Sequence, residues 1–468
     1  MKTENLPVPT RPGYILAVLT LMSALAFMDR QILSVIIQPV KQEFGLSDLQ
    51  IGLVTGLGFA LTFGVLGVPL GRLADRRERR SLIAFCRGLG GLLGLLGGAS
   101  VGFLSLMFSR AGGAVSDAGG TPASMSMLAD IYPAAHRARA MSVLGAGASL
   151  GALLALVLGS WLAQHYGWRV TVAVIGGSSL LLALVLRWTV HEPVRIGHGS
   201  AGHASAQSAD STSRHGTDLQ AAPRGVDLQT APRGAVAAIW AEPFTRWSIL
   251  GAALALLSAY SFGTWNNALM VRHHGLSLQH AGWISGGAAL MSLAGGLMAG
   301  ALTDRLVRRD LRWQMGVPVL GLGLALVFGV AYLLLPSGAL VPASVLVWIF
   351  SFFLPWWAAP TYAAMSLVVP SQRRATANAM VLLAGAIVGN GMGAILTGWF
   401  SDLLSTRFGD DGLRYALLGM SSMMLPAMFA FGRAMRAYPS AYRKATQTHF
   451  SPTHHKTSPN SSANREAL

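Results

Sequence analysis

Two long apolar runs are separated by the basic stretch Gly71-Arg72-Leu73-Ala74-Asp75-Arg76-Arg77-Glu78-Arg79-Arg80. A weaker copy, Gly300-Ala301-Leu302-Thr303-Asp304-Arg305, follows 229 residues later. Leu46-Ser47 recurs as Leu276-Ser277 at an offset of 230, and Pro133 with Arg137 recurs as Pro370 with Arg374 at an offset of 237. Three matches at nearly one offset indicate that the chain consists of two halves with the same orientation.

The composition places both halves in a membrane. Of the 468 residues, 52% are hydrophobic and 12% are charged, whereas a soluble protein carries about 25% charged residues. Apolar stretches of about 20 residues, the length that crosses a bilayer, occur twelve times. We therefore predict an all-α membrane protein with twelve transmembrane helices in two six-helix bundles. The twelve stretches are 14–39, 50–71, 82–102, 105–130, 140–163, 168–190, 246–271, 280–302, 313–335, 340–368, 374–401 and 412–436.

The chain has a net charge of +16, and its basic residues are concentrated in alternate loops. As the sequence divides them, the loops after spans 2, 4, 8 and 10 hold 14 Arg residues, Arg87 among them, and the alternate loops hold five Lys or Arg residues. Because basic loops stay in the cytoplasm, this predicts a multi-pass cell membrane protein with both termini cytoplasmic, in the inner membrane of a bacterium. The excess charge then reflects topology, and no nucleic-acid partner is expected.

The apolar run near the N-terminus, which contains Ala24-Leu25-Ala26, imitates a signal peptide with its cleavage site. Cleavage there would leave eleven spans and break the internal repeat. The run is therefore interpreted as a retained first helix.

Little in the sequence suggests catalysis. The lone Cys86 excludes an intramolecular disulfide and a Cys-based metal site. The sequence has no phosphate-binding loop for ATP. Gly147-Ala148-Ser149-Leu150-Gly151 matches a hydrolase pattern, but that pattern needs a preceding strand and here it lies inside a predicted membrane helix. We expect no enzyme activity, no cofactor and no metal.

Two polar segments complete the predicted organisation. Residues 191–245 are rich in Ser, His, Ala and Gly and predict a disordered cytoplasmic linker. Residues 438–468 predict a disordered cytoplasmic tail. The two six-helix bundles are then 1–190 and 246–437.

The run at 71–80 and its echo at 300–309 resemble the signature loops of the major facilitator superfamily. Within that family the chain is similar to the spinster-like branch, and three features carry this resemblance. They are Asp29-Arg30, the Leu46-Ser47-Asp48 turn, and Arg110 followed by Gly113, Asp117-Ala118 and Pro122. Branch members usually have Glu where Asp117 stands. The resemblance implies two bundles around a central cavity, working by alternating access, and a monomer is expected.

The signature loop suggests a conformational latch on the cytoplasmic side. Gly71 would allow two helices to approach closely, and Asp75 would be stabilised near a helix start by the dipole and by Arg76 and Arg79. The resemblance implies that this latch holds an outward-facing state and releases as the halves rock. The alternative is that these charges only set the topology. The other candidate members of the latch are Arg137, Asp304, Arg305 and Arg374.

Four charges stand out at bilayer depth, where each costs roughly 2.5–3.5 kcal/mol: Asp29, Arg30, Arg110 and Asp117. Arg110 and Asp117 would lie about 10.5 Å apart on one helix face, too far for a direct bond. The resemblance places spans 1 and 4 face to face, which permits Asp29 with Arg110 and Arg30 with Asp117. We expect these four residues to couple protons and substrate. Static ion pairs that fix helix packing are the alternative.

The second half has no comparable charge inside its spans. Its candidates for the cavity wall are polar and aromatic, and core packing or the membrane interface is the alternative for each aromatic residue. These candidates are Trp265, Asn266, Asn267, Trp356, Trp357 and Asn390.

The sequence thus predicts a secondary active transporter of a small organic solute, coupled to protons. Its partners would be the substrate, protons and the lipid bilayer. For the substrate, the spinster-like resemblance favours an amphipathic, lipid-like molecule. A small organic anion, such as a sugar acid or an aromatic acid, is the alternative, and a non-transporting sensor on the same scaffold is a further one.

Overall fold

The structure is a computed structural model that describes residues 11–76, 78–192 and 234–450. These residues form helices joined by short connections, and no strand occurs among them. The α-helices are α1 (Pro12–Phe44), α2 (Asp48–Gly52), α3 (Gly58–Arg76), α4 (Arg79–Gly97), α5 (Phe103–Ile131), α6 (Ala134–Leu154), α7 (Ser160–Thr189), α8 (Ala235–Ala241), α9 (Pro243–His274), α10 (Leu278–Val307), α11 (Trp313–Leu333), α12 (Leu340–Phe353), α13 (Ala358–Val368), α14 (Ser371–Ala384), α15 (Gly393–Phe408), α16 (Gly412–Ser422) and α17 (Met424–Phe450).

These helices assemble into twelve membrane-length helical segments, six in each half, which we call rods. Several rods consist of two helices: α2 with α3, α12 with α13, α14 with α15, and α16 with α17. In the first half α6 runs into α7, which reverses direction at Gly167, where φ is 81°. The short helix α8 precedes the second half. The rods agree in number with the twelve apolar stretches of the sequence.

By length and composition, eight stretches of the described residues could cross a membrane. Two of these, Arg139–Thr189 and Thr376–Gln447, each contain two rods. The two rods outside this set are α5, which contains Arg110 and Asp117, and α2 with α3, which are separated by the π-helical turn Leu53–Leu57. The rods that miss this criterion are thus interrupted or carry internal charges.

The repeated Leu-Ser motif begins the second rod of each half. Gly45 (φ 61°) and Gly275 (φ 67°) end α1 and α9 in the left-handed conformation that glycine adopts without strain. Two residues later Ser47 and Ser277 accept hydrogen bonds from the first turns of α2 and α10. The sequence duplication therefore encodes the same helix–turn–helix connection twice.

The bundle has two distinct ends. One end carries the described chain ends and the basic segments 78–80, 133–139, 308–312 and 370–374, and we call it the arginine-rich end. The other end carries the α1–α2 and α9–α10 connections, and we call it the opposite end.

The helices extend further than the sequence predicts. In the predicted tail, α17 continues to Phe450, because its face with Tyr438 and Ala441 is buried. In the predicted linker, α8 forms and buries Ile239. The expectation of disorder is therefore wrong for these two pieces. The remainder of both segments, 193–233 and 451–468, lies outside the described residues.

Candidate transport site

An ion pair joins α1 and α5 in the interior of the first half. Arg110 donates from Nη2 to Asp29 Oδ1 at 2.9 Å and from Nη1 to the backbone oxygen of Asp29 at 2.8 Å. Both residues are buried, with 7% and 8% of their surface exposed. The predicted contact between Asp29 and Arg110 is therefore present.

Gly113 makes room for this pair. A Cβ atom built on Gly113 would lie 2.9 Å from Asp29 Oδ2, closer than van der Waals contact permits. The spacing Arg110 to Gly113 places the donor and the gap on neighbouring turns of one helix face. The glycine of the sequence motif therefore positions the carboxylate.

Asp117 has a partner that the sequence does not predict. Its carboxylate lies 3.4 Å from Nη1 of Arg87, which comes from α4. Arg87 also donates to the Ser116 hydroxyl at 3.1 Å and to the Thr121 hydroxyl at 3.3 Å. Asp117 therefore forms an ion pair with Arg87, and its predicted pairing with Arg30 stays a prediction. Arg30 faces the cavity between the halves, and its charge also acts on Asp117.

Arg87 is the functional candidate that sequence reasoning missed. It was counted as a loop charge because it follows the basic run at 76–80, but α4 begins at Arg79 and Arg87 is 4% exposed. Eight residues of helix carry a side chain about 12 Å along the axis, and that distance was the available signal. The interior charges near this site are thus five: the half-buried Arg30 and the buried Asp29, Arg87, Arg110 and Asp117.

A cavity of about 290 Å³ lies between the two halves, next to the Asp29–Arg110 pair. Its wall mixes charged, polar and apolar groups from both halves. The polar members are Asp29, Arg30, Gln31, Ser34, Thr55, Arg110, Tyr260, Thr264 and Asn390, and the other members are Leu33, Val54, Gly113, Leu256, Ala259 and Gly263.

Of the six cavity candidates in the second half, Asn390 lines this cavity and the other five pack elsewhere. Trp265 is fully buried and donates to the backbone oxygen of Ala394 at 3.1 Å. Trp356 and Trp357 are each 5% exposed, and Trp356 packs on Phe352 and Phe353. For these tryptophans the structure favours the core-packing alternative.

Asn266 and Asn267 belong to a buried polar network behind the cavity. Tyr332 donates to Asn266 Oδ1 at 2.9 Å, and Ser285 donates to Asn267 Oδ1 at 2.7 Å. Asn267 reaches Ser34 of α1, which lines the cavity, at 3.5 Å. The two amides therefore stabilise helix contacts, including one contact between the halves.

At the opposite end the halves are joined by a group that we call the end gate: Lys41, Asp48, Arg272, Ser401 and Asp402. Asp48 is 1% exposed and accepts from Arg272 at 2.7 and 2.8 Å, from Lys41 at 2.6 Å and from Ser401 at 2.6 Å. Asp402 of α15 accepts from the backbone N–H groups of Asp48 and Leu49, both at 2.8 Å. Three rods from different parts of the chain thus converge on the start of α2.

Backbone contacts tighten this end further. A Cβ built on Gly398 would collide with the backbone oxygen of Asp48, and one built on Gly52 would lie 2.6 Å from the backbone oxygen of Ala394. Ile32 and Ile36 of α1, packed in the same region, are 0% exposed. The opposite end is therefore closed by direct helix packing between the halves.

The charge of Asp48, which precedes the second predicted span, is strongly stabilised. Burial alone would raise the pKa of this carboxyl, but the hydrogen bonds and charge of Arg272, with Lys41 and Ser401, lower it to about 2. Asp48 therefore stays ionised, and the end gate intact, throughout the physiological pH range.

The predicted latch residues lie at the arginine-rich end. Arg79 pairs with Asp130 of α5, and Arg374 donates to the backbone oxygen of Val369 at 2.9 Å, so these two contacts stay within one half. Asp304 and Arg305 are exposed, and Arg137 is half-buried. Gly71, Asp75 and Arg76 lie outside the residues whose side chains are described. The latch stays a prediction.

The comparisons with known proteins agree with this architecture. The family profile described as Major Facilitator Superfamily matches residues 19–389. An MFS-type efflux pump of Mycolicibacterium smegmatis is 31% identical over 92% of this chain and 94% of the pump. A probable galactarate/D-glucarate transporter of Bacillus subtilis, GudP, is 25% identical over 66% of this chain and 68% of that protein.

Among solved structures, the chain is similar to a bacterial homologue of the human lysosomal transporter Spinster. The inward-facing, unoccupied form has a TM-score of 0.74 and 25% identity, and the match covers 94% of this chain and 99% of the other. The inward-facing, occupied form has a TM-score of 0.73 and 25% identity over 94% of this chain and 98% of the other. Proteins of this kind are transporters rather than enzymes. The chain therefore belongs to the Major Facilitator Superfamily, as a multi-pass membrane transporter of its spinster-like branch.

Proposed function

We propose that this transporter couples the movement of its solute to protons through Asp29. The observation that carries the proposal is the double contact of Arg110 with Asp29 in the wall of a cavity that both halves line. Protonation of Asp29 removes the negative charge that Arg110 Nη2 contacts and so weakens a charge-assisted hydrogen bond. The state of one proton then decides whether the guanidinium is available to another anion.

Asp117 supplies a second proton-binding group in the same proposal. It lies behind the cavity with Arg87, and the charges of Arg30 and Asp29 both act on it. A change of charge at one aspartate therefore alters the energy of charging the other. We assign proton coupling to Asp29 and Asp117 as a pair, and substrate contact to Arg30 and Arg110.

The wall of the cavity supports an amphipathic substrate with an acidic group. Three arginines and two aspartates leave a net positive charge beside the cavity even when both acids are ionised. Leu33, Val54 and Leu256 supply apolar wall on the other sides. A lipid-like molecule with an anionic head satisfies both features.

A small organic anion is the second candidate. The positive balance of charges supports it equally, and the similarity to a probable galactarate/D-glucarate transporter favours a polyhydroxylated acid. Thr55, Thr264 and Asn390 offer hydrogen bonds to hydroxyl groups. A polyhydroxylated acid has little apolar surface to pack against the apolar part of the wall, and we therefore rank this candidate second.

We further propose that the arginine-rich end faces the cytoplasm of a bacterial inner membrane and that this conformation is inward-facing. The closed end gate at the opposite end and the similarity to two inward-facing structures support this assignment. The distribution of basic residues supports the same orientation. Both termini are then cytoplasmic, and the end gate faces outward.

The test begins with a thermal-shift screen of the purified protein against lysophospholipids and organic acids, followed by counterflow of the hits in proteoliposomes. An imposed pH gradient should drive accumulation in the wild type and not in Asp29→Asn, whereas counterflow without a gradient should persist in that variant. Asp410→Asn is the matched control, because this aspartate is exposed at the opposite end. Equal gradient-driven transport by Asp29→Asn, Asp117→Asn and the wild type would refute the proposal.

A further inference from the structure

The last helix carries a continuous cationic face at the arginine-rich end. The 27 residues of α17 contain no Asp or Glu, while Arg433, Arg436, Arg443 and Lys444 are all exposed. At 100° per residue these four positions fall within about 100° of one another around the helix. The face with Ala434, Tyr438 and Ala441 is buried. The helix is therefore amphipathic, with one basic side.

An indole ring marks the place where this face meets the apolar part of the bundle. The Cζ atoms of Arg433 and Arg246 lie 5.5 and 5.8 Å from the ring centre of Trp247 in α9. The ring of Phe429, one turn back along α17, packs edge-on against Trp247 at 6.0 Å and is 62% exposed. Tryptophan with an apolar neighbour on one side and cations on the other is typical of the membrane interface.

The short helix α8 adds apolar surface at the same end. It exposes 53% of Val236 and 42% of Trp240 and buries Ile239. Thr245 of α9 donates to the backbone oxygen of Ile239 and so fixes α8 beside the start of α9. The start of α9 also contacts α17, because Phe244 packs on Tyr438 with ring centres 5.3 Å apart.

We propose that this surface, formed by Arg246, Arg433, Arg436 and Arg443 with Trp240 and Trp247, binds the headgroups of anionic phospholipids. Its apolar members fit the boundary of the acyl chains, and the arginines stand where phosphate groups lie. Neither α9 nor α17 contains an Asp or Glu residue, and the nearest carboxylate along the chain is that of Glu242, the N-cap of α9. One carboxylate does not balance four arginines, and phosphate groups of the lipid supply the remaining negative charge. The surface binds lipid whether or not the proposed proton coupling is correct.

A second basic segment of the same end provides a matched control. Arg308, Arg309 and Arg312 are also exposed, but they alternate with an acid: Asp310 accepts from the backbone N–H of Arg312 at 2.9 Å. If the binding of anionic lipid depended only on the number of exposed arginines, neutralising either set of three arginines would have the same effect. If the amphipathic surface binds lipid, neutralising the α17 set has the larger effect.

The experiment compares the full-length protein in nanodiscs of phosphatidylcholine alone and of phosphatidylcholine with one-third phosphatidylglycerol. The readouts are the Tm and the number of phosphatidylglycerol molecules retained in native mass spectrometry. We expect phosphatidylglycerol to raise the Tm of the wild type and of Arg308→Gln/Arg309→Gln/Arg312→Gln. The triple variant Arg433→Gln/Arg436→Gln/Arg443→Gln should lose most of the increase and retain fewer lipids. Each neutralised charge should weaken association about fivefold, up to about a hundredfold for three.

Arg433→Lys/Arg436→Lys/Arg443→Lys keeps the charge and should keep most of the lipid effect, which separates lost attraction from a damaged helix. An equal loss in both Gln triples would overturn the assignment of the α17 surface. So would an absent phosphatidylglycerol effect in the wild type. If inorganic phosphate in phosphatidylcholine nanodiscs raises the Tm as much as phosphatidylglycerol does, the surface binds free anions and the lipid proposal fails.

Discussion

At the scale of single residues, the position of Asp29 depends on the side chain that Gly113 lacks. The carboxylate is held by Arg110 on one side and fits against the bare backbone of α5 on the other. A packed interior yields only a few tenths of an ångström without cost. The geometry of the proposed proton-binding group is therefore set by a residue that makes no hydrogen bond to it.

Gly113→Ala should consequently impair transport. The added Cβ would meet Asp29 Oδ2 at 2.9 Å, and such overpacking costs about 1–3 kcal/mol. We expect gradient-driven transport to fall about tenfold or more, which corresponds to 1.4 kcal/mol. Gly64→Ala is the control, since a Cβ there meets nothing within 4 Å. Equal transport rates of the two variants in proteoliposomes would contradict this role.

Substitutions of Arg87 and Asp117 test whether this ion pair is a proton switch or a static pair that only fixes helix packing. Arg87→Gln leaves Asp117 without the guanidinium that contacts it, and breaking a buried pair from one side costs about 3–5 kcal/mol. We expect a large fall in Tm for Arg87→Gln and a partial recovery in Arg87→Gln/Asp117→Asn. A static pair predicts that the double variant also recovers transport. A proton switch predicts that it stays inactive, and the transport assay decides between them.

These residues show which parts of the candidate site could be predicted from the sequence. Asp29 with Arg110 was predictable, because charges inside apolar stretches are costly and the resemblance placed their helices face to face. Arg87 was not singled out, although it lies inside the predicted span 82–102, because it follows a basic run and was counted with that loop. Since α4 begins at Arg79, Arg87 lies more than two turns inside the helix. Five of the six cavity candidates lie outside the wall of the described cavity. Aromatic and amide side chains also satisfy helix contacts, and periodicity does not separate these environments.

At the scale of elements, α2 is one place where the halves meet. Its N-terminal turn donates hydrogen bonds to the N-cap Ser47 and to Asp402 from the other half. Its first residue, Asp48, forms ion pairs with Lys41 and Arg272. The pairing of Asp48 with Arg272 spans 224 residues of sequence, so no local pattern indicates it. From the sequence alone, Lys41 and Arg272 were counted only as loop charges. The fold was therefore more predictable than the contacts that close it.

Asp48→Asn should weaken the end gate. The amide keeps the shape but cannot match the charges of Arg272 and Lys41, and we expect the closed state to lose about 2–5 kcal/mol. The closed conformation should become less populated, which double electron–electron resonance between spin labels on either side of the opposite end measures as a longer distance. Asp410→Asn should leave that distance distribution unchanged. An unchanged distribution in Asp48→Asn as well would show that helix packing alone holds this end closed.

The pH response of the end gate has a definite sign. The pKa of Asp48 is lowered to about 2 in the closed state, so its contribution is complete above the ordinary carboxyl pKa of about 3.9 and is lost only as the pH falls through about 2. Between about pH 5 and pH 8 the distance distribution at the opposite end should stay constant in Asp29→Asn/Asp117→Asn/His273→Gln, where the last change removes the titratable His273–Asp411 pair of the same end. A pH-dependent opening in that variant would contradict this assignment.

At the scale of the whole molecule, closure at one end and a cavity lined by both halves are what the proposed inward-facing state of an alternating-access cycle requires. The duplicated connections at Gly45–Ser47 and Gly275–Ser277 put equivalent rods on both sides of the cavity. The halves can therefore rock about a site that each contributes to. The sequence predicted this arrangement well, because duplication, apolar length and loop charge are all global signals.

Side-specific labelling tests the orientation of the cavity. In a Cys86→Ser background, Thr264→Cys places one thiol in the cavity wall. A membrane-impermeant maleimide should react with it from the cytoplasmic side and much more slowly from outside. Adding Asp48→Asn should increase the outside rate. Ser440→Cys, exposed on α17 at the arginine-rich end, is the control for sidedness. Rapid outside labelling without Asp48→Asn would contradict an inward-facing assignment.

Because Asp402 lies in the other half, the amide protons of Asp48 and Leu49 are covered only while the two halves touch. Each excursion to the alternative state uncovers them to water, whereas the amides in the middle of α1 remain inside their own helix throughout. The deuterium uptake of these two amides, relative to α1, therefore reports the population of the state in which the halves are separated at this end. Mass spectrometry can therefore follow the contact between the halves through two backbone amides, without any attached probe.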